Sequence, residues 1–250
     1  MNMFWEGKDI KNEVEMLALL MKDSRNTVVL TGAGMDTESN IPDFRGKSGW
    51  WRNIDPSRVA SVQTLQQNYT LFHEFYSMRI ELLQDVRPHK GHYILADFEQ
   101  KGVIKSIATQ NVSCLHRQAG SKTVYELHGN IKTIRCNSCN HEAALQDFLD
   151  KKNCSICGRN ALRPNVVLFG EYLPRDAWSL AERDIRGCDL LIVIGTSLKV
   201  HPVNQLPMLA TGKVVLINDE DTSSGCKFDL KIIGKAREVL EELTEIYKSA

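Results

Sequence analysis

Two sets of residues in this chain have the type and spacing to do chemistry. The first is four of the seven cysteines, Cys136-x-x-Cys139 and, fourteen residues on, Cys154-x-x-Cys157. Two residues between thiolates fit a tight turn that brings both to one tetrahedral metal ion at about 2.3 Å. Gly158, after the second pair, suits such a turn. All four ligands are thiolates, so a zinc ion held here keeps no position open for water and is structural. The alternative is four free thiols or a redox pair. The second set begins at Gly32-Ala33-Gly34, directly after the apolar run Thr27-Val28-Val29-Leu30-Thr31. Small residues there let a backbone lie against phosphate oxygens and aim free N–H groups at them. Alone this is a weak sign, because the third glycine of the dinucleotide fingerprint is missing. Asp43, Phe44 and Arg45 follow, an anion, a flat apolar face and a cation together in a loop. His128 offers an imidazole whose ordinary pKa of about 6.5 suits proton transfer at neutral pH. A packing role is the alternative for it, as for the other histidines.

The elements that must position these groups follow from periodicity. Apolar residues at helical spacing predict helices over 10–23, 63–85 and 92–101, then near 177–184, near 203–211 and over 235–247. Apolar runs predict strands over 27–31, 103–109, 123–127, 164–169, 189–194, 213–217 and 229–233. Strands alternating with helices argue for a parallel sheet covered on both faces. The polar motifs then sit just past strands: Gly32-Ala33-Gly34, Gln110-Asn111, His128-Gly129, Gly195-Thr196-Ser197 and Asn218-Asp219. In open parallel sheets that is where ligands bind. The competing explanation is that such loops are polar and glycine-rich in general.

Bulk composition removes other classes. The 250 residues are 42% hydrophobic and 25% charged, an ordinary globular balance. Lys plus Arg equals Asp plus Glu, 31 each, so no global field favours nucleic acid or an anionic membrane as partner. The longest apolar run, 190–194, is far short of the ~20 residues of a membrane span. Met1 to Asp9 shows no hydrophobic core or cleavage site of a secretory signal, and the cysteine count is odd. A cytoplasmic protein with reduced thiols is expected.

Together the motifs resemble those of the sirtuins, NAD-consuming protein deacylases, from about Val14 to Leu243. The resemblance rests on Gly32-Ala33-Gly34, Ile41-Pro42-Asp43-Phe44-Arg45-Gly46, Thr109-Gln110-Asn111, Leu115-His116-x-x-Ala119-Gly120, Glu126-Leu127-His128-Gly129, the four cysteines, Gly195-Thr196-Ser197-Leu198 and Ile217-Asn218. It implies an α/β fold, a doubly wound, Rossmann-like NAD-binding domain with a small zinc-binding domain inserted. The nucleotide domain would comprise 1–52, 86–129 and 164–250, with a helical insert at 53–85 and the zinc domain at 130–163. Acyl-lysine proteins or peptides would enter the cleft between them. The acyl oxygen would attack C1′ of the nicotinamide ribose, and a ribose hydroxyl would then attack the imidate, giving O-acyl-ADP-ribose and free lysine. In that scheme His128 is the general base, Asn111 orients the ribose and a water, and Gln110 bonds the ribose hydroxyls. Phe44 shields the reactive face, and Arg45 contacts phosphate or orders its loop. Gly32, Ala33, Gly34, Asp43, Ser113, Gly195, Thr196, Ser197 and Asn218 complete the NAD-binding set. Val166, Phe169 and Gly170 fall among the substrate-binding positions.

Three positions depart from the family pattern. Asp36 stands where serine is expected, Asn40 where glycine is common, and Ser113 where relatives carry an aspartate that bonds the nicotinamide amide. Loss of that charge implies weaker nicotinamide inhibition, and Asp36 is expected to point away from the phosphates or to cap the following helix. Tyr76-x-x-Arg79, after Gly49-Trp50-Trp51-Arg52, and the small Ala60 resemble class III sirtuins, which remove succinyl and malonyl groups. A guanidinium there would hold the acyl carboxylate by paired hydrogen bonds. An ion pair with a neighbouring carboxylate is the alternative for Arg79. Both deacetylation and desuccinylation or demalonylation are expected. ADP-ribosyl transfer or NAD hydrolysis at the same site is a second enzymatic reading. A zinc-ribbon binding module is a third, which leaves most of the chain unexplained.

Overall fold

The computed structural model describes residues 10–41, 56–222 and 225–249. Its strands are β1 (Thr27–Thr31), β2 (Ile104–Thr109), β3 (Val124–Glu126), β4 (Gly129–Cys136), β5 (Glu142–Ala143), β6 (Leu162–Val166), β7 (Leu190–Ile194), β8 (Lys213–Asn218) and β9 (Leu230–Ile233). Its helices are α1 (Lys11–Asp23), α2 (Pro56–Val59), α3 (Val62–Gln67), α4 (Tyr69–Leu82), α5 (Lys90–Gln100), α6 (Leu115–Gln118), α7 (Leu145–Leu149), α8 (Arg175–Arg186) and α9 (Ala236–Ser249). Every residue of β1 and of β7 is buried. Their side chains alternate between two separate cores, which explains why both read as unbroken apolar runs. Val29, Ile107, Ile192, Ile194 and Val215 pack with α1, α5 and α9 on one face. Val28, Leu30, Leu191, Val193 and Leu216 pack with α8 on the other.

The six strands of the large sheet are all parallel and run in the order β3-β2-β1-β7-β8-β9. The chain winds outward from β1 on one side, then returns to lay β7 against β1 and winds outward on the other. The strand order therefore reverses between β1 and β7, whose following loops lie at the strands' carboxyl ends. This is where doubly wound sheets bind ligands. Among the described residues no helix is long and apolar enough to cross a membrane.

The sequence-predicted elements need three corrections. The strand from Pro164 does not resume the large sheet: β6 pairs antiparallel with β4 in a second sheet, ordered β5-β4-β6. An apolar run reports burial, not which sheet receives it. The predicted helix 63–85 is two helices, broken at Asn68, whose side chain accepts from Leu71 N to cap α4. The predicted helix 203–211 is a 3-10 stretch, Val203–Leu209, with Pro207 inside, where an amide donor is missing. The second sheet shares a third core with α3 and α4, in which Phe72, Tyr76, Ile80, Ile131, Ile134, Phe148 and Leu162 meet.

Candidate active site

Two loops cross at the switch point, and their contact dictates small residues. Gly34 N donates to Gly195 O at 2.7 Å, and Gly32 N donates to Ile194 O at 3.0 Å. A Cβ on Gly195, whose φ is +63°, would lie 2.2 Å from Met35 N; one on Gly34 would lie 2.8 Å from Gly195 Cα. The glycines are thus needed by the crossing itself. The expectation that their N–H groups are free for phosphate is corrected, because both are already bonded. Among the described residues the amides of Ala33, Thr196 and Ser197 are the ones these turns leave without a hydrogen bond.

The β2 loop locks onto the same crossing. Gln110 donates from Nε2 to Thr196 Oγ1 at 3.0 Å, and Asn111 from Nδ2 to Gly32 O at 2.9 Å. Behind them, Thr31 Oγ1 donates to Thr109 Oγ1 at 2.8 Å, and Thr109 Oγ1 accepts Asn111 N at 3.0 Å. His128, between β3 and β4, places Nδ1 3.1 Å from Gln110 O. A carbonyl only accepts, so Nδ1 carries the proton and Nε2 keeps its lone pair. Burial pushes the His128 pKa below the ordinary imidazole value, with the Gln110 bond opposing. The ring is therefore a neutral base at pH 7. Asn218 is 9% exposed, and its Nδ2 closes the β8 turn on Glu220 O at 2.7 Å. Gly195 N, donating to Ile217 O at 3.0 Å, ties that turn to the crossing.

Asp36 does not cap a helix, as its side chain makes no capping bond; it turns inward to Ser113 and His92. It is 3% exposed; its Oδ2 accepts from Ser113 Oγ at 2.7 Å and its Oδ1 lies 3.1 Å from His92 Nε2. Two of the three departures thus touch each other. Asn40, the third, adopts φ +63°, which glycine takes freely and asparagine tolerates. His92 stands between His89 and His116, with ring centroids 4.3 and 4.9 Å away. Sequence reasoning gave these three histidines bland roles. Of the three, only His116 had a sequence signal, as part of the Leu115-His116-x-x-Ala119-Gly120 motif.

The four cysteines converge. Cys136 Sγ lies 3.6 Å from Cys157 Sγ and Cys139 Sγ 3.6 Å from Cys154 Sγ, with all four within 4.8 Å of one another. A tetrahedron with zinc–sulfur bonds of about 2.3 Å has edges of about 3.8 Å, so one zinc ion fits. Backbone N–H groups of Cys157 and Ile156 lower the Cys154 pKa and so favour the thiolate that binds metal, while the neighbouring thiols push that of Cys139 up.

The expected acyl-pocket residues also gather. Phe169 N donates to Ala60 O at 2.9 Å and Val62 N to Phe169 O at 3.1 Å, which clips the 60–62 segment to the 168–170 segment. Gly170, at φ +94°, lies beside Val62. Ala60, Tyr76 and Val166 share one core, while Phe169 is 56% exposed. The Arg79 guanidinium lies over Phe75 and Tyr76, 5.6 and 5.8 Å from their centroids. Burial raises the Tyr76 pKa to about 12, so its hydroxyl is a neutral donor; burial also lowers the Arg79 pKa, but from a value so high that a guanidinium keeps its charge. Asp43, Phe44, Arg45 and the 49–52 segment lie outside the described residues. A pair that sequence reasoning missed holds this wall: fully buried Arg163 grips Glu171 with both terminal nitrogens and donates to Val166 O at 2.6 Å. Burial alone would raise the Glu171 pKa, but Arg163 and Leu168 N hold it below the usual carboxylate value. An arginine next to a proline reads as surface, and only a carboxylate eight residues on hints otherwise.

A doubly wound sheet with free amides at its switch point, beside a four-thiolate small domain, defines a nucleotide-binding protein with a structural metal site. Comparison with known proteins makes the class particular. The family model described as "Sir2 family" matches residues 32–202. The chain is 45% identical to NAD-dependent protein deacetylase 1 of Geobacillus kaustophilus over 227 residues, 89% of this chain and 93% of that one. It is 38% identical to NAD-dependent protein deacylase 2 of Archaeoglobus fulgidus, covering 96% and 98% of the two chains. A solved Sir2–p53 peptide–NAD+ structure superimposes with a TM-score of 0.85 at 34% identity, over 94% of this chain and 98% of that one. The chain belongs to the Sir2 family.

Proposed function

We propose that this chain is an NAD-dependent protein-lysine deacylase whose chemistry centres on His128 and Asn111. The observation that carries the reading is the meeting of four strand ends at one crevice, where His128 Nδ1 is tied to Gln110 O and Nε2 is left to accept a proton. NAD supplies a glycosidic carbon that receives the acyl oxygen as nicotinamide departs. His128 Nε2 then takes the proton of the attacking ribose hydroxyl, and the Gln110 carbonyl holds the ring in the one tautomer able to do so. Asn111 gives one amide proton to Gly32 O, which fixes the carboxamide plane and leaves its carbonyl oxygen to orient the ribose. The amides of Ala33, Thr196 and Ser197 receive the phosphates, while Gly195, Gln110 and Asn218 frame the riboses. Asp43, Phe44 and Arg45 act on the same ligand, Phe44 by keeping water from the intermediate. Zinc on Cys136, Cys139, Cys154 and Cys157 fixes the small domain and takes no part in the reaction. The products are free lysine, nicotinamide and O-acyl-ADP-ribose. The protein works in the cytoplasm, where thiols stay reduced, on acylated proteins.

Arg79, a cation against aromatic faces, with Tyr76 and the small Ala60, supports succinyl- and malonyl-lysine as substrates beside acetyl-lysine. The test is to incubate the chain with NAD and each acyl-lysine peptide, then weigh the products. O-acyl-ADP-ribose is expected from each peptide; ADP-ribosylated peptide or free ADP-ribose alone would contradict deacylation. Arg79→Met should lower succinyl and malonyl turnover by about tenfold or more and spare acetyl turnover. Equal losses on all three would remove Arg79 from acyl selection.

A further inference from the structure

We infer that Arg163 is a positioning residue for the acylated peptide: with Glu171 it fixes the shape of the 166–171 crossing, and peptide binding, not nucleotide or metal binding, registers its loss. This rests on the reading that Val166, Phe169 and Gly170 take the substrate. A guanidinium carries five N–H donors in a rigid fork and is not deprotonated in proteins. All five donors of Arg163 have a partner. Nε donates to Pro164 O at 3.2 Å. Nη1 donates to Glu171 Oε1, and to Asn137 Oδ1 at 3.4 Å. Nη2 donates to Glu171 Oε2 at 2.9 Å and to Val166 O at 2.6 Å. Glu171 turns the same carboxylate back on its own segment, where Oε2 accepts Leu168 N at 2.9 Å.

The chain leaves β6 at Val166 and crosses to α8 without joining either sheet. Val167 N donates to His128 O at 2.9 Å, Phe169 N to Ala60 O at 2.9 Å, and Val62 N to Phe169 O at 3.1 Å. The crossing thus borders the base, the Ala60 wall and, at Phe169, open solvent. Gly170 turns the chain there at φ +94°. Arg163 and Glu171 also lie near enough to the hydroxyl of buried Tyr76 for their charges to act on it, which sets the pair beside the acyl pocket.

Stability by itself does not require ions at this point. A buried ion pair replaced by apolar side chains of similar volume is often no less stable. Apolar side chains cannot, however, hold a carbonyl and an amide at set positions. The Arg163 fork sets Val166 O and the Glu171 carboxylate sets Leu168 N, so one pair fixes the backbone on both sides of Val167. The contact with Asn137, between Cys136 and Cys139, ties that pair to the metal-binding turn. Those peptide units have no sheet ladder of their own, and they shift once the pair is gone.

The experiment measures kcat and KM for an acetyl-lysine peptide at saturating NAD on the full chain. ADP-ribose affinity by calorimetry and zinc content by elemental analysis are followed in every variant. Arg163→Met/Glu171→Leu replaces the pair with apolar side chains and strands neither charge. Its peptide KM should rise about tenfold or more, while kcat and ADP-ribose affinity stay within about threefold and zinc content is unchanged. Glu171→Gln keeps the side chain's shape but turns one accepting oxygen into a donor, and should raise KM about threefold to tenfold. Arg163→Lys keeps the cation without the fork, and its KM should fall between those of the unaltered chain and Arg163→Met. A double variant with an unaltered peptide KM would overturn the inference. Parallel losses of peptide KM, ADP-ribose affinity and zinc would overturn it too, because they mark a pair that merely supports the fold. If the double variant does not fold, Glu171→Gln decides by the same two outcomes. Absence of turnover of any acyl-lysine peptide by the unaltered chain would instead remove the deacylase reading itself.

Discussion

His128 has one nitrogen committed and one available, and that asymmetry sets what its removal should do. Its Nδ1 is bound to Gln110 O, so no other proton position competes with Nε2. General-base catalysis contributes about 10²–10⁴-fold, so His128→Ala should cut kcat by that factor and leave ADP-ribose affinity nearly unchanged. Burial lowers the His128 pKa, and only the neutral ring accepts a proton. Activity should persist as pH falls below about 6.5 and be lost through the depressed value. The acid limb of kcat/KM against pH reports this group in the free enzyme, and a limb centred above 6.5 would contradict the assignment. At this scale the sequence was readable where a residue's role depends on its near neighbours. The cysteine pairs needed only spacing. Asp36 was not readable, because its partners Ser113 and His92 lie 77 and 56 residues away. A carboxylate two residues after a glycine turn looks like a cap until its actual partners are known.

Among elements, the inner strands β2, β1, β7 and β8 of the large sheet were legible because they are buried almost throughout and each ends in a polar or glycine motif. The second sheet was less so, since β6 carries Pro164 and its membership depends on a partner, β4, that a strand pattern does not name. That pairing matters to chemistry. β4 begins at Gly129, next to His128, and Val167 N donates to His128 O at 2.9 Å. The cysteine quartet therefore sits at the far end of a β4–β6 pair whose near end carries His128, the base we propose. Elemental analysis should find one zinc per chain, and Cys154→Ser should lose it. Metal binding to such sites is worth on the order of 10 kcal/mol, so the small sheet should open when the metal is removed. Misplacing a base by about 1 Å costs about 10²-fold, and deacylation should fall by that factor. A zinc-free variant with full activity would show that the strand pair is held by its apolar core alone.

For the molecule as a whole, the buried histidines predict how stability depends on pH. His116 is 3% exposed, with Nε2 on Thr31 Oγ1 at 3.0 Å and Nδ1 without any partner. Thr31 gives its own proton to Thr109, so Nε2 is the protonated nitrogen. A second proton would sit on Nδ1 with nothing to accept it. Burial, then the neighbouring His92, push the His116 pKa down to about 3. His89 shifts in the same direction, chiefly through burial. The unfolded chain, with histidine near about 6.5, binds protons that the folded chain refuses, so stability rises with pH in this window. It should be complete above about 6.5 and fall by about 2 kcal/mol at pH 5 for His116 alone. That is a large part of the roughly 5–15 kcal/mol a domain has. Glu171 and Asp184, whose pKa values are depressed, act in the same sense only below the ordinary carboxylate range. Between pH 7.5 and 5 the cysteine site titrates as well, so the His116 share of the urea midpoint is isolated by a variant. His116→Gln keeps a donor to Thr31 without a titrating group and should flatten the midpoint's pH dependence. A variant as steep as the unaltered chain would mean the proton is taken up elsewhere.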